Sequence, residues 1–159
     1  MCGIVGILNL NDQPIDKNIL KNMTDEVSHR GPDGDGYYIN KNIGFGHKRL
    51  SIIDLSDNGA QPMKSKDSRF ILNYNGELYN FKDLRKDLEK RGYEFFTESD
   101  TEVVLRSWEE WGEKCVNKFN GMFAFAIWDN KNNDLFLIRD RYGTKPLYYL
   151  NNKNFFIFS

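Results

Sequence analysis

The sequence predicts an α+β fold in which antiparallel sheets are layered with helices. Paired β-rich runs separated by short polar turns read as hairpins, and the helical periodicities are collected between such runs. A βαβ arrangement would instead alternate strand with helix along the whole chain. A nearly unbroken apolar run at the start adds a strand covered on both faces.

That first strand is residues 3–10. Asp16 then opens a helix on which Ile19, Leu20, Met23 and Val27 fall on one stripe. The helix ends in His29-Arg30-Gly31-Pro32-Asp33-Gly34-Asp35-Gly36, a loop whose Gly, Pro and Asp content cannot continue regular structure. Residues 37–39, 43–53 and 70–74 read as strands, with Gly44 and Gly46 marking bulges or close backbone approach. Asn80 caps a helix carrying Phe81, Leu84 and Leu88 at helical spacing, and Gly92 stops it. Ser99-Asp100-Thr101-Glu102 is a capping-box pattern, opening a helix that buries Val104, Trp108, Trp111 and Cys115. Residues 122–128 and 135–138 flank the polar turn 129–133 as a hairpin, and 146–150 and 155–158 flank 151–154 in the same way.

A chain of 159 residues has the size of one domain with a substantial core. A net charge of −1, with both signs mixed along the length, gives no electrostatic case for nucleic acid or an anionic membrane. No apolar run approaches the roughly 18 residues of a membrane span, and the short apolar start lacks a basic leader. Two cysteines far apart predict a reduced, cytoplasmic protein. No metal is expected, because Cys2, Cys115, His29 and His47 lack ligand spacing.

The chemistry begins at Cys2, in Met1-Cys2-Gly3-Ile4-Val5-Gly6. Removal of the initiator Met, easy before a small residue, leaves a thiol and a free α-amine on one residue. An α-amine of pKa about 7.7–8.0 can take the proton of a thiol near pKa 8.5, so nucleophile and base come together. Asn75-Gly76 would offer a side-chain amide and a backbone N–H where a strand breaks, two donors suited to a developing oxyanion. Arg49 stands in an otherwise apolar strand. With Glu77 and Asp100 it completes the charges that a free amino acid needs, a fork for the carboxylate and acceptors for the ammonium.

Seven segments carry a resemblance: the Cys2-Gly3-Ile4-Val5-Gly6 start, His29 to Asp33, Arg49-Leu50-Ser51-Ile52, Gly59-Ala60-Gln61-Pro62, Asn75 to Asn80, Ser99 to Glu102 and Gly121 to Ala126. Together they resemble the glutaminase domain of class II glutamine amidotransferases, from first residue to last. Tyr74 before Asn75-Gly76, Glu77 after it, and the segment from Arg139 to Tyr149 are most similar to the asparagine synthetase branch.

The resemblance implies the N-terminal-nucleophile hydrolase fold, a four-layer αββα sandwich of two antiparallel sheets. It implies Cys2 as nucleophile, Asn75 and Gly76 as oxyanion hole, Arg49 on the substrate α-carboxylate, and Glu77 and Asp100 on its ammonium. The main chain of Leu50, Ser51, Ile52 and Ile53 would line the pocket for L-glutamine. The implied reaction gives glutamate and ammonia, which a C-terminal ATP-dependent synthetase would use to turn aspartate into asparagine. Residues 1–159 are thus expected to be one domain of a longer enzyme. No cofactor is expected here, ATP and Mg belonging to the missing domain. The expected partners are that domain or an acceptor subunit, and a homodimer is an expected assembly. A sugar or cell-surface polymer as acceptor, and a catalytically silent docking module, are the alternative readings.

Overall fold

The computed structural model describes residues 1–51, 54 and 56–159. In chain order the strands are β1 (Gly3–Asn9), β2 (Gly34–Asn40), β3 (Ile43–Arg49), β4 (Met63–Lys64), β5 (Phe70–Leu78), β6 (Gly121–Asp129), β7 (Asp134–Arg139), β8 (Tyr149–Asn151) and β9 (Phe155–Phe158). The helices are α1 (Lys17–Glu26), α2 (Phe81–Lys90) and α3 (Asp100–Trp111). One antiparallel sheet has the order β2-β3-β1-β9-β8, the other β4-β5-β6-β7. Helix α1 packs on β1 and β3, while α3 packs on β4 and β5 and carries α2 beside it. The sheets face each other through β1, β3 and β5, so the layers run helix, sheet, sheet, helix.

Strand β1 is apolar on both faces because it serves two cores. Ile4 enters the inter-sheet core with Ile43, Phe45, Ile71, Ala124, Ala126 and Trp128. Val5 and Ile7 point the other way, onto Ile15 and Leu20 at helix α1. The third core lies under α2 and α3, where Leu72, Tyr74, Phe123, Phe125 and Ile127 meet Leu84, Leu88, Val104 and Trp108. The expected close approach at Gly46 is present, since a Cβ there would strike Thr24 of α1 and Val5. No bulge accompanies it, the β1–β3 register being unbroken from Gly3↔Lys48 to Leu8↔Ile43.

Several local expectations are corrected. Strand β5 does not break at Asn75-Gly76 but runs on to Leu78, because Asn75 and Gly76 pair with Ala124 and Phe123 of β6 and the ladder overrides the turn propensity. Strand β3 ends at Arg49 rather than 53, since the next amides are taken by side chains: Leu50 N–H points to Cys2 Sγ and Ser51 N–H donates to Asp33. Ile52 and Ile53 lie outside the described residues. Strand β2 starts at Gly34, inside the stretch read as loop. Ile19 is 51% exposed, off the buried stripe. Asn80 stands at the N-cap of α2 without capping it, its side chain instead joining Lys118 O and Asn120 N–H. Ser99 does cap α3, but Glu102 accepts from Phe96 and Thr97 N–H and pairs with Arg106 instead of closing a capping box. Cys115 is buried just past α3, in a 3-10 turn over Gly112–Lys118.

Candidate active site

Cys2 immediately precedes β1, at the mouth of the gap between the sheets. Its backbone carbonyl accepts from Arg30 Nε at 3.1 Å, and its Sγ lies 3.4 Å from Leu50 N. The loop from His29 to Gly36, which sequence reading takes as turn chemistry, positions this segment. Asp33 N–H donates to Arg49 O at 3.0 Å, its carboxylate holds Ser51 N–H at 2.8 Å, and Gly31 packs directly on the backbone of Lys48 and Arg49. A side chain at Gly31 would collide with that backbone, which accounts for the glycine.

A cavity of about 110 Å³ opens in front of the thiol. Cys2, Arg49, Leu50, Ser51, Asn75, Gly76, Glu77 and Asp100 all line it, so every described residue expected in the site meets in one place. A second cavity, about 210 Å³, touches Cys2 and Asn75 from another side, with Arg30 and Pro146 in its wall. By contrast, the residues considered for a metal are dispersed: Cys115 is buried in the α2–α3 core and His47 between the sheets.

The first cavity carries charge of both signs. The Arg49 guanidinium is braced by the carbonyls of Ser56, at 2.8 Å, and Asp54, at 2.5 Å. The Asp100 carboxylate is buried and accepts from Tyr74 OH and Leu78 N–H, each at 2.9 Å. Burial raises the Asp100 pKa, and those two donors pull it back. Tyr74 is thus a site residue that reading the sequence did not mark, and its only signal was its place before Asn75-Gly76. Gln61 is another: its Oε1 accepts from Tyr74 N–H at 2.7 Å, fixing the strand next to Asn75.

Burial is also the largest influence on the Cys2 thiol and raises its pKa; the Leu50 N–H, the terminal amine and Arg49 act in the opposite direction, and Asp100 adds to the rise. A thiol so placed needs a base. His47 cannot serve, because its Nδ1 is 2.7 Å from Asn73 Oδ1 in the closed space between the sheets.

A model of the glutamine amidotransferase domain matches residues 1–159. The asparagine synthetase [glutamine-hydrolyzing] 3 of Bacillus subtilis is 47% identical over 161 residues, covering 99% of this chain and 26% of the relative. A putative asparagine synthetase [glutamine-hydrolyzing] 2 of Methanocaldococcus jannaschii is 42% identical, covering all of this chain and 34% of its own length. The chain therefore spans a quarter to a third of these two relatives, which are 26% and 34% covered. Among solved structures, the glutamine phosphoribosylpyrophosphate amidotransferase of B. subtilis superimposes with a TM-score of 0.82 at 19% identity, over 99% of this chain and 41% of that one. That likeness agrees with the N-terminal-nucleophile hydrolase fold. With a family model matched from end to end and a cysteine-headed cavity at the sheet mouth, the chain belongs to the glutamine amidotransferase domain family.

Proposed function

We propose that this domain hydrolyses L-glutamine to glutamate and ammonia through a γ-glutamyl thioester on Cys2. The observation that carries the reading is the single cavity in which Cys2, the Asn75-Gly76 donor pair, Arg49 and Asp100 converge. The thiol proton passes to the α-amine of Cys2, and the thiolate attacks the side-chain amide carbon. The oxyanion is received by the Asn75 amide and the Gly76 N–H. The α-ammonium then gives its proton to the departing nitrogen, releasing ammonia, and water cleaves the thioester to glutamate and the free thiol. Arg49 holds the substrate carboxylate, Asp100 and Glu77 its ammonium, and the main chain of residues 50–53 the remainder. The cavity that touches Cys2 and Asn75 from the other side is a volume into which ammonia can leave.

The whole protein, in this reading, is a cytoplasmic glutamine-dependent asparagine synthetase. Its further domain activates aspartate with ATP and takes up the ammonia. The names of the relatives and the 47% and 42% identities support this assignment.

Cys2→Ala tests the reaction. The variant is expected to keep the parent's circular dichroism and thermal transition while glutamine-dependent ammonia release falls by at least about 10³-fold, the loss typical of a missing nucleophile. Ammonia release from glutamine at the parent rate would refute the assignment.

A further inference from the structure

Lys145 is the cationic residue of the cavity that the mechanism above leaves unused. It is 3% exposed and lines the same cavity as Cys2, Glu77 and Asp100. Among the described residues it makes no ion pair, and the one acceptor its Nζ meets is the thioether sulfur of Met1. A thioether is a weak acceptor, and a buried ammonium so partnered is costly. Its position is nonetheless tightly built. The Asp140 carboxylate accepts N–H groups from Tyr142, Thr144, Lys145 and Phe123, winding the loop after β7 around one anion. Arg139 ties the same loop from its other side, donating to Lys145 O and Gly143 O, each at 2.6 Å.

Met1 is the residue whose removal the chemistry requires. Once it leaves, Nζ loses its partner and stands one residue away from the α-amine that takes Met1's place. We propose that Lys145 is a positioning residue for the nucleophile, its ammonium holding the new α-amine of Cys2 in the uncharged form that accepts the thiol proton. The inference rests on the glutaminase reading and deepens it.

The physical reason is like-charge repulsion in a partly desolvated site: a fixed positive charge disfavours protonation of a neighbouring amine. The charges around Lys145 come from every side. Burial lowers its own proton affinity and Arg30 of the 28–30 turn lowers it further, whereas Glu77 of β5, Asp140 and the Cys2 thiolate raise it. Arg49 and Asp100 line the same cavity with opposite signs.

The test uses the full-length protein with Met1 removed, labelled with ¹⁵N-cysteine so that its terminal amine can be titrated by NMR without reference to turnover. In the parent the amine is expected to titrate below the ordinary range of about 7.7–8.0. In Lys145→Met it rises by about one pH unit, and the acidic limb of kcat/KM for glutamine moves with it, costing about fivefold at pH 7 and approaching about tenfold at lower pH. Lys145→Arg, which keeps the charge, leaves the limb where the parent has it. An amine that titrates at the same pH with and without the Lys145 charge overturns the inference, as does a uniform loss of rate with an unmoved limb. Should Lys145→Met fail to fold, a parent amine titrating at or above its ordinary range overturns it alone. Failure of the glutaminase reading is separate and visible as a parent protein that releases no ammonia.

Discussion

Tyr74 illustrates how one hydroxyl can hold a buried charge in place. Its OH donates to the buried Asp100 carboxylate at 2.9 Å, and its ring packs on Phe125 with centroids 6.3 Å apart. Phenylalanine would keep the ring contact and delete the donor. A hydrogen bond to a charged group contributes about 1.5–3 kcal/mol, so Tyr74→Phe is expected to raise KM for glutamine about tenfold or more while changing kcat little. Steady-state kinetics decide this, and an unchanged KM would remove Tyr74 from the support of Asp100. That Cys2, Arg49, Asn75 and Asp100 belong to one cavity was legible from residue type and motif, because thiols, guanidinium forks and acidic acceptors are chemically distinctive. Tyr74, Gln61 and Lys145 were not, because each acts only through a neighbour that the fold supplies.

At the scale of the element, β5 shows a strand overruling a turn signal. Asn-Gly favours a hairpin when isolated, yet here it is held extended by β6 along its whole length. The consequence is a rigid mounting for Asn75 and Gly76, the proposed oxyanion donors. A Cβ on Gly76 would stand 2.7 Å from Met122 O, 2.7 Å from Phe123 Cβ and 2.8 Å from Tyr74 Cζ, and two of these three are parts of the paired strand. Gly76→Ala must therefore shift the ladder. We expect roughly 1–3 kcal/mol lower stability in urea titration and a kcat reduced by about 10²-fold as the backbone donor moves off target. Wild-type kcat in a stable Gly76→Ala protein would contradict this placement of the donor. The helix elements were predicted well in position and less well in capping, because caps depend on competing partners: Asn80 and Glu102 both found tertiary ones.

Across the whole molecule, the two sheets are joined by a polar link inside an apolar core. Asn73 of β5 donates Nδ2 to Val5 O and Gly46 O, at 3.2 and 3.0 Å, so its Oδ1 is left to accept from His47 Nδ1 of β3. His47 is therefore neutral with its proton on Nδ1, and its Nε2 is buried without a partner among the described residues. Burial depresses its pKa from 6.5 to about 4, Arg49 contributing in the same direction and the Asn73 bond opposing it. An unfolded His binds a proton through this interval and the folded one does not. The contribution is thus fully present above pH 6.5, falls as pH drops from 6.5 toward 4, and is flat below. Its full size is roughly 3 kcal/mol. Chemical denaturation from pH 7.5 to 4 should show this slope in the parent and lose it in His47→Gln; equal slopes in both would contradict the linkage.

The sequence by itself determined the class of fold and the family, and it named the residues that line the first cavity. Hydrophobic period, glycine placement and side-chain chemistry are local properties that survive in a string of letters. Only the tertiary structure decided that the Asn75-Gly76 pair stays in an unbroken strand, that the 29–36 loop braces Arg49 and Ser51, and that a lysine at position 145 reaches the first residue. Those outcomes are set by which backbone groups find partners across the gap between sheets and by which charges burial leaves with few partners. Such relations link residues up to 144 positions apart and have no signature in any local stretch.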